Sequence, residues 1–305
     1  MGGRAEPRAA RPARRQRVPG GRLPQHGGSG IVIGTRAFPV HLDRVLLTRV
    51  ARLEARLLWR NRTALFVAAG MPLLFVGMLV PMHGKRIQGV DAALLQGTGH
   101  LALFLLFAVF MNLATVFTTR REDGTLKRMR GTALGDAEIL GGSVLTATVL
   151  YMAQVAVLAV VLVAAFGGRA PADPVLTLAG IAGGVVVFAL LASVVSGITP
   201  TTELTQLTVL PVMFACMAGA GVMFPLGVLP EVVQQSLRAL PLTPVVEIVR
   251  TGYFGRDFTA HGVPPAVGVG GGWVACLPSF AILAAWAAVA RRLAARAFRW
   301  DPRRS

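Results

Sequence analysis

Nine charged side chains crowd the stretch TTRREDGTLKRMRGTALGDAEILGG, residues 118–142, which lies between two long apolar runs. Five are basic (Arg120, Arg121, Lys127, Arg128, Arg130) and four are acidic (Glu122, Asp123, Asp136, Glu138). The chemistry such a set supports is recognition. Asp123 can cap a short helix that starts near Gly124, its carboxylate favoured at the positive helix end. Leu126, Met129 and Ala133 then share one stripe, while Lys127 and Arg128 stand away from it. A small apolar ridge with flanking charge suits docking into a partner's groove. The competing reading is a helix resting on anionic lipid, which the four carboxylates oppose.

No other constellation points to catalysis. A phosphate-cradling loop needs G-x-x-x-x-G-K-[ST], and the nearest string, PMHGKR, lacks the first Gly and the final Ser or Thr. No metal-ligand cluster, nucleophile elbow or paired-carboxylate site is visible, so the chain reads as a non-enzyme with no cofactor or metal of its own. Cys216 and Cys276, the only two cysteines, fall in apolar runs and read as packing residues. The polar candidates within those runs are His100, Asn112 and Gln154. His100 reads as an interfacial histidine. Asn112 and Gln154 read as hydrogen-bonding between helices, and they are also the candidates for lining a pathway.

The elements that must position these residues follow from where charge is missing. Charge-free runs cover 63–84, 92–119, 139–168, 174–202, 204–230 and 258–290. Each exceeds the roughly 20 residues that carry a helix across about 30 Å of hydrocarbon. Six spans are expected, at about 64–81, 101–118, 143–166, 175–198, 207–228 and 266–290. Gly180 and Gly184 give the fourth a G-x-x-x-G that could permit close helix contact. The fold class is an all-α polytopic membrane protein.

Charge also sets the orientation. Fourteen Arg precede residue 63, five basic residues lie in 119–142 and six Arg lie in 291–305, whereas the intervening loops on the other side hold six basic residues together. That asymmetry places both termini in the cytoplasm. The net charge of +17 therefore reads as orientation and contact with membrane lipids, with no nucleic acid among the partners, because the Arg-rich tail has no aromatic before Phe38. No apolar signal-peptide core follows the basic N-terminus, so the first span is expected to act as its own insertion signal.

Residues 1–36, beginning MGGRAEPRAARPARRQRVPGGR, are too poor in apolar surface to fold and are expected to be a disordered tail. In 37–62, VHLDRVLLTRVARLEARLLWRN puts Leu42, Leu46, Val50, Leu53 and Leu57 on one helical face and Arg44, Arg49, Arg52, Arg56 and Arg60 on the other. This is an amphipathic helix suited to the inner headgroup layer. The membrane domain then occupies 63–300, and 301–305 is a basic tail. Between the fifth and sixth spans, Pro230, Pro241 and Pro244 divide 229–255 into short pieces, read as two short helices lying along the outer face or dipping into it.

Three regions in order resemble the ABC type-2 exporter permeases, closest to the bacterial multidrug and antibiotic export branch. RREDGTLKRMRGTAL followed by a long span is similar to the segment after that family's second membrane helix. RLLWRNRTALFVAAGMPLLF, with Pro72 interrupting the first span, and FPLGVLPEVVQQSLRALPLTPVVEIVR complete the match, and RRLAARAFRW is similar to the family's basic end. The resemblance covers about 40–300. This chain departs from the pattern where Asp123 separates Glu122 from Gly124, and where Ala133 stands in place of a common proline.

The resemblance implies an ATPase-coupling helix made of Glu122, Asp123, Gly124, Thr125, Leu126, Lys127, Arg128, Met129 and Arg130. It implies an extracellular re-entrant hairpin marked by Pro225, Pro230, Pro241 and Thr243. It further implies a half-transporter in a bacterial plasma membrane that pairs with a second permease, as a homodimer or heterodimer. Two separate ABC ATP-binding subunits would hold ATP and Mg, and this chain would move small amphipathic cargo outward, drugs or antibiotics foremost. Lipid or polysaccharide export is the alternative, and an ion-coupled carrier or a non-transport scaffold stands further off.

Overall fold

The computed structural model describes residues 72–125, 136–222, 231–260 and 262–298, together with Gly2, Gly70 and Arg128. The tail 1–36, the amphipathic segment 37–62 and the end 301–305 lie outside the described residues except for Gly2, as do residues 64–69 and 71 of the first expected span. What is described of that span is an apolar helix, α1 (Pro72–Met82).

A two-residue hairpin follows, β1 (Arg86–Ile87) and β2 (Val90–Asp91), antiparallel with Arg86 opposite Asp91. Gln88 and Gly89 both have positive φ at its turn, which the tightest hairpin connection requires. Asp91 then starts the next helix, accepting from the amides of Ala93 at 2.8 Å and Leu94 at 3.3 Å. That helix runs from Ala92 to Glu122 without a break. It comprises α2 (Ala92–Leu105), a π-helical stretch (Leu106–Met111) and α3 (Asn112–Glu122). The expected bounds of 101–118 were too narrow, because hydropathy marks the part that fits hydrocarbon, whereas caps mark where the helix ends.

The remaining elements are α4 (Asp136–Phe166), α5 (Pro174–Ile198), α6 (Thr202–Gly219), α7 (Glu231–Arg238), α8 (Leu242–Phe254), α9 (Val269–Ala275) and α10 (Leu277–Ala297). Asp173 caps α5 through the Leu176 amide at 2.9 Å, with Pro174 in the first turn, where its missing N–H costs nothing. Thr201 caps α6. Gly255 ends α8 in the left-handed conformation, φ 62°.

Four helices among the described residues are long and apolar enough to cross a membrane: Ala92–Glu122, Glu138–Phe166, Pro174–Ile198 and Leu277–Ala297. The fifth expected span, 207–228, corresponds in part to α6, which opens on the polar run TELTQLT, while 223–228 lies outside the described residues. The sixth, 266–290, is corrected. Its first part is a loop tied back by the Val267 amide to the Gly255 carbonyl at 2.9 Å, followed by the short α9. The crossing helix starts afresh at Leu277, because Pro278 has no N–H with which to continue α9.

The exposed residues show what surrounds the bundle. On α4 they include Val149, Val157, Val160 and Val163, and on α6 Leu204, Leu207, Leu210 and Phe214. A helix facing water would carry polar side chains there. Apolar faces of this kind, on helices of this length, fit a multi-pass membrane protein.

Inside the bundle α5 is the hub, packed against α3, the π stretch, α8 and α10. Its glycines allow this approach. A Cβ on Gly180 would stand 2.7 Å from Ile248 Cγ2 of α8, and one on Gly184 2.6 Å from Leu105 Cδ2 of α2. The G-x-x-x-G seen in the sequence is therefore a packing face. The core around it holds Phe104, Phe110, Phe117, Phe188, Leu105, Leu113 and Val245.

Candidate functional site

Three consecutive charged residues end α3, and each grips a different helix. Arg120 donates through Nη1 to Ser143 Oγ of α4 at 2.8 Å. Arg121 is buried, 1% exposed, and its guanidinium donates to the carbonyls of Ser196 and Thr199 at the end of α5, and to that of Pro200 at 3.3 Å. Glu122 accepts from the Thr202 amide at 3.0 Å and from the Thr202 hydroxyl, which closes the first turn of α6. Helix ends leave their last carbonyls and first amides without intrahelical partners. Here a cation meets the carbonyls and an anion meets the amide, the arrangement the helix dipoles favour.

A hydroxyl relay reinforces this corner. Thr205 donates to Thr118 at 2.9 Å and lies 2.7 Å from Thr199 Oγ1, while Thr119 and Thr202 stand 3.0 Å apart. The end of α10 closes on the same corner. A Cβ on Gly197 would stand 2.5 Å from the Ala297 carbonyl oxygen, and Phe117 meets Phe298 edge-on with centroids 6.3 Å apart. Sequence reasoning missed the threonines and the separate roles of Arg120 and Arg121. The run TPTTELT, four hydroxyls around one helix start, was the available signal.

The charged stretch leaves from this corner. Asp123 is the C-cap of α3, and Gly124 turns the chain with φ 65°, its amide bonded to the Arg121 carbonyl at 3.1 Å. The Arg128 amide reaches the Gly124 carbonyl at 3.1 Å. Arg128 also donates to the Asp123 carbonyl at 3.1 Å and lies 3.3 Å from Thr125 Oγ1. Leu126, Lys127, Met129 and Arg130 lie outside the described residues.

The polar residues within the helices are distributed differently from expectation. Asn112 does not bridge helices through its amide nitrogen, which donates to the Ala108 carbonyl of its own helix at 3.2 Å. It sits where the π stretch ends, so its side chain satisfies backbone that the altered winding displaces. Gln154 is buried in α4, 5% exposed. His100 is not at a surface: it is 2% exposed and meets Phe75 edge-on at 4.9 Å.

At the other end of the bundle, α7 and α8 are the two short helices expected between the fifth and sixth spans. Pro241 precedes α8 with φ −68°, and buried Thr243 donates to the Leu237 carbonyl at 3.0 Å, tying α8 to α7. Pro225 and Pro230 lie outside the described residues. α8 packs against α2, α5 and α10, so it brings two charges the spans lack. Glu247 accepts from Ser279 Oγ of α10 at 2.7 Å, and Arg250 donates through Nη2 to the Leu95 carbonyl of α2 at 3.3 Å. The sequence reading places both in the two short helices of 229–255 and assigns neither a role.

Cys216 and Cys276 are free and buried. Both pack among apolar side chains of the core. Among the described residues no three His, Cys, Asp or Glu side chains converge to hold a metal ion.

The model of one protein family, described as ABC-2 type transporter, matches residues 45–254. That match takes in the α3 corner, the charged stretch and both short helices. No curated protein matches the chain.

Proposed function

The chain belongs to the ABC-2 type transporter family, the membrane subunit of an ABC transporter, and from that premise we propose that it is an export permease driven by ATP hydrolysis on a separate subunit. The observation that carries this reading is the α3 corner. Residues 122–125 leave from a point where α3, α4, α5 and α6 are joined by charged hydrogen bonds. A partner that moved this segment would therefore pull on three further helices at once, through Arg120, Arg121 and Glu122. Packed helices respond to such a pull by shifting as units, because a close-packed interior does not deform continuously.

In this reading the ATP-binding subunit docks on Glu122, Asp123, Gly124, Thr125, Leu126, Lys127, Arg128, Met129 and Arg130. ATP and Mg belong to that subunit. Six spans, including 64–81 and 207–228, complete the half-transporter, and α7 and α8 form an outer re-entrant hairpin. A second permease, identical or not, supplies the other half. Both termini lie in the cytoplasm of a bacterial plasma membrane, as the distribution of Arg favours. The charge-free spans suit an amphipathic or hydrophobic cargo such as a drug or antibiotic, with Asn112 and Gln154 as polar positions of its route.

The test is a Gly124→Glu/Leu126→Glu double variant. Gly124 has φ 65°, where an L side chain is strained, and Leu126 belongs to the apolar ridge. Cells carrying the variant should insert the protein at normal levels yet accumulate an amphipathic dye as cells lacking it do. Undiminished dye efflux would remove the coupling role from this segment.

A further inference from the structure

Arg250 is a half-buried cation, and the carboxylate whose charge acts on it is Glu247 on its own helix. Its guanidinium makes one hydrogen bond, from Nη2 to the Leu95 carbonyl at 3.3 Å, and Nε has no partner. Glu247, one helical turn away, accepts from Ser279 of α10 and acts on Arg250 through its charge. Beside it stands His100, 2% exposed, whose Nδ1 also has no partner. Gly99 brings the two together. A Cβ there would lie 3.1 Å from Arg250 Nη2 and 3.1 Å from Val222 Cγ2, so the guanidinium rests against the backbone of α2 next to His100.

Guanidinium is a donor on every nitrogen, so whatever completes this site must be an acceptor. A cation partly taken from water also favours negative charge near it, and the planar pair of Nη groups matches a carboxylate or phosphate in bidentate fashion. The walls are apolar, formed by Val222 and by α2 near Leu95, so an anionic head on an apolar body fits better than a bare ion. Nε is sealed from solvent, while Arg250 as a whole is half-buried, so an anion meets the guanidinium on its Nη side.

We propose that Arg250 and His100 form a binding site for the anionic headgroup of an amphiphile, a phosphate or carboxylate, between α2, α8 and the end of α6. The site is a property of this chain alone, so its test needs no ATPase and stands or falls independently of the coupling reading.

The experiment measures binding of a short-chain phosphatidylglycerol to the full-length purified chain in neutral detergent, with phosphatidylcholine of equal chain length and inorganic phosphate as comparisons. The chain should bind the anionic lipid at least about tenfold more tightly than the zwitterionic one, a difference of about 1.4 kcal/mol. Arg250→Gln should erase that preference, Arg250→Lys should retain part of it, and Glu247→Gln should bind no more weakly than the unaltered chain. Retained phosphatidylcholine binding and an unchanged elution profile show that a variant has folded. Competition by inorganic phosphate would identify a free anion as sufficient, and its failure with the lipid preference intact would identify the lipid headgroup; either supports the site. Equal binding of the two lipids, a preference that survives Arg250→Gln, or weaker binding by Glu247→Gln would overturn it.

Discussion

Arg121 is the residue on which the corner depends. It is among the largest fully buried side chains, and its donors meet three carbonyls on and beyond the end of α5. Arg121→Met would keep much of the volume and leave those carbonyls without donors, at a cost of about 3 kcal/mol or more, since each buried orphan costs roughly 1–3 kcal/mol. Thermal unfolding of the purified protein should register this as a clear fall in the midpoint. Arg121→Lys should lie between, because an ammonium is a point charge and cannot span the three acceptors. An unchanged midpoint for Arg121→Met would mean that the guanidinium does not hold this corner. Thr202→Val is a milder probe: it removes the hydroxyl that Glu122 binds and keeps the amide, so a loss of about 1 kcal/mol is expected. The sequence showed that Arg120, Arg121 and Glu122 were numerous and mixed in sign, yet could not show that each faces a different helix. Which way a charge points at a helix end depends on the neighbour's position, and that is a tertiary fact.

At the scale of elements, the expected spans 101–118, 143–166 and 175–198 fall within long apolar helices, legible because hydrocarbon excludes charge and the charge-free runs mark it directly. Their ends were less legible. Asp91 and Asp173 were visible throughout, but a lone aspartate before an apolar run signals a cap only once the chain around it is placed. The break at Cys276 was available from Pro278, and the glycine-rich run before it masked the signal. The packing of α8, a helix the sequence does lead one to expect, was the less legible feature. Its length suits a surface helix, yet it packs on the hub of the bundle, and its Gly252 shows how closely: a Cβ there would stand 2.5 Å from Thr177 Oγ1 and 2.8 Å from the Thr177 amide nitrogen. Gly252→Ala therefore meets backbone that cannot step aside, since the Asp173 amide is bonded to the Gly252 carbonyl at 2.7 Å. Overpacking of this kind costs about 1–3 kcal/mol. The variant should show a lowered unfolding midpoint and a broadened elution profile, whereas Gly270→Ala, with nothing within 4 Å of the added carbon, should match the unaltered chain. Equal behaviour of the two variants would argue against this packing of α8 on α5.

For the whole molecule, the account joins two ends of one bundle. One end ties α3 to its neighbours beneath a charged segment, and the other seats α8 against α2, α5 and α10. The continuous helix Ala92–Glu122 runs between them, with its π stretch midway. Such a helix can carry a displacement from the charged segment toward α8, and the π stretch offers a place to change winding. The sequence carries no G-x-x-x-x-G-K-[ST] string. The central claim is accordingly that the motive force comes from another chain. The most direct test is affinity purification of the tagged protein from gently solubilised native membranes, followed by identification of what accompanies it. The account predicts an ATP-binding-cassette ATPase in about equal amount, crosslinking to residues 122–130 and lost in the Gly124→Glu/Leu126→Glu variant. Repeated recovery of the intact membrane protein with no ATPase would contradict it.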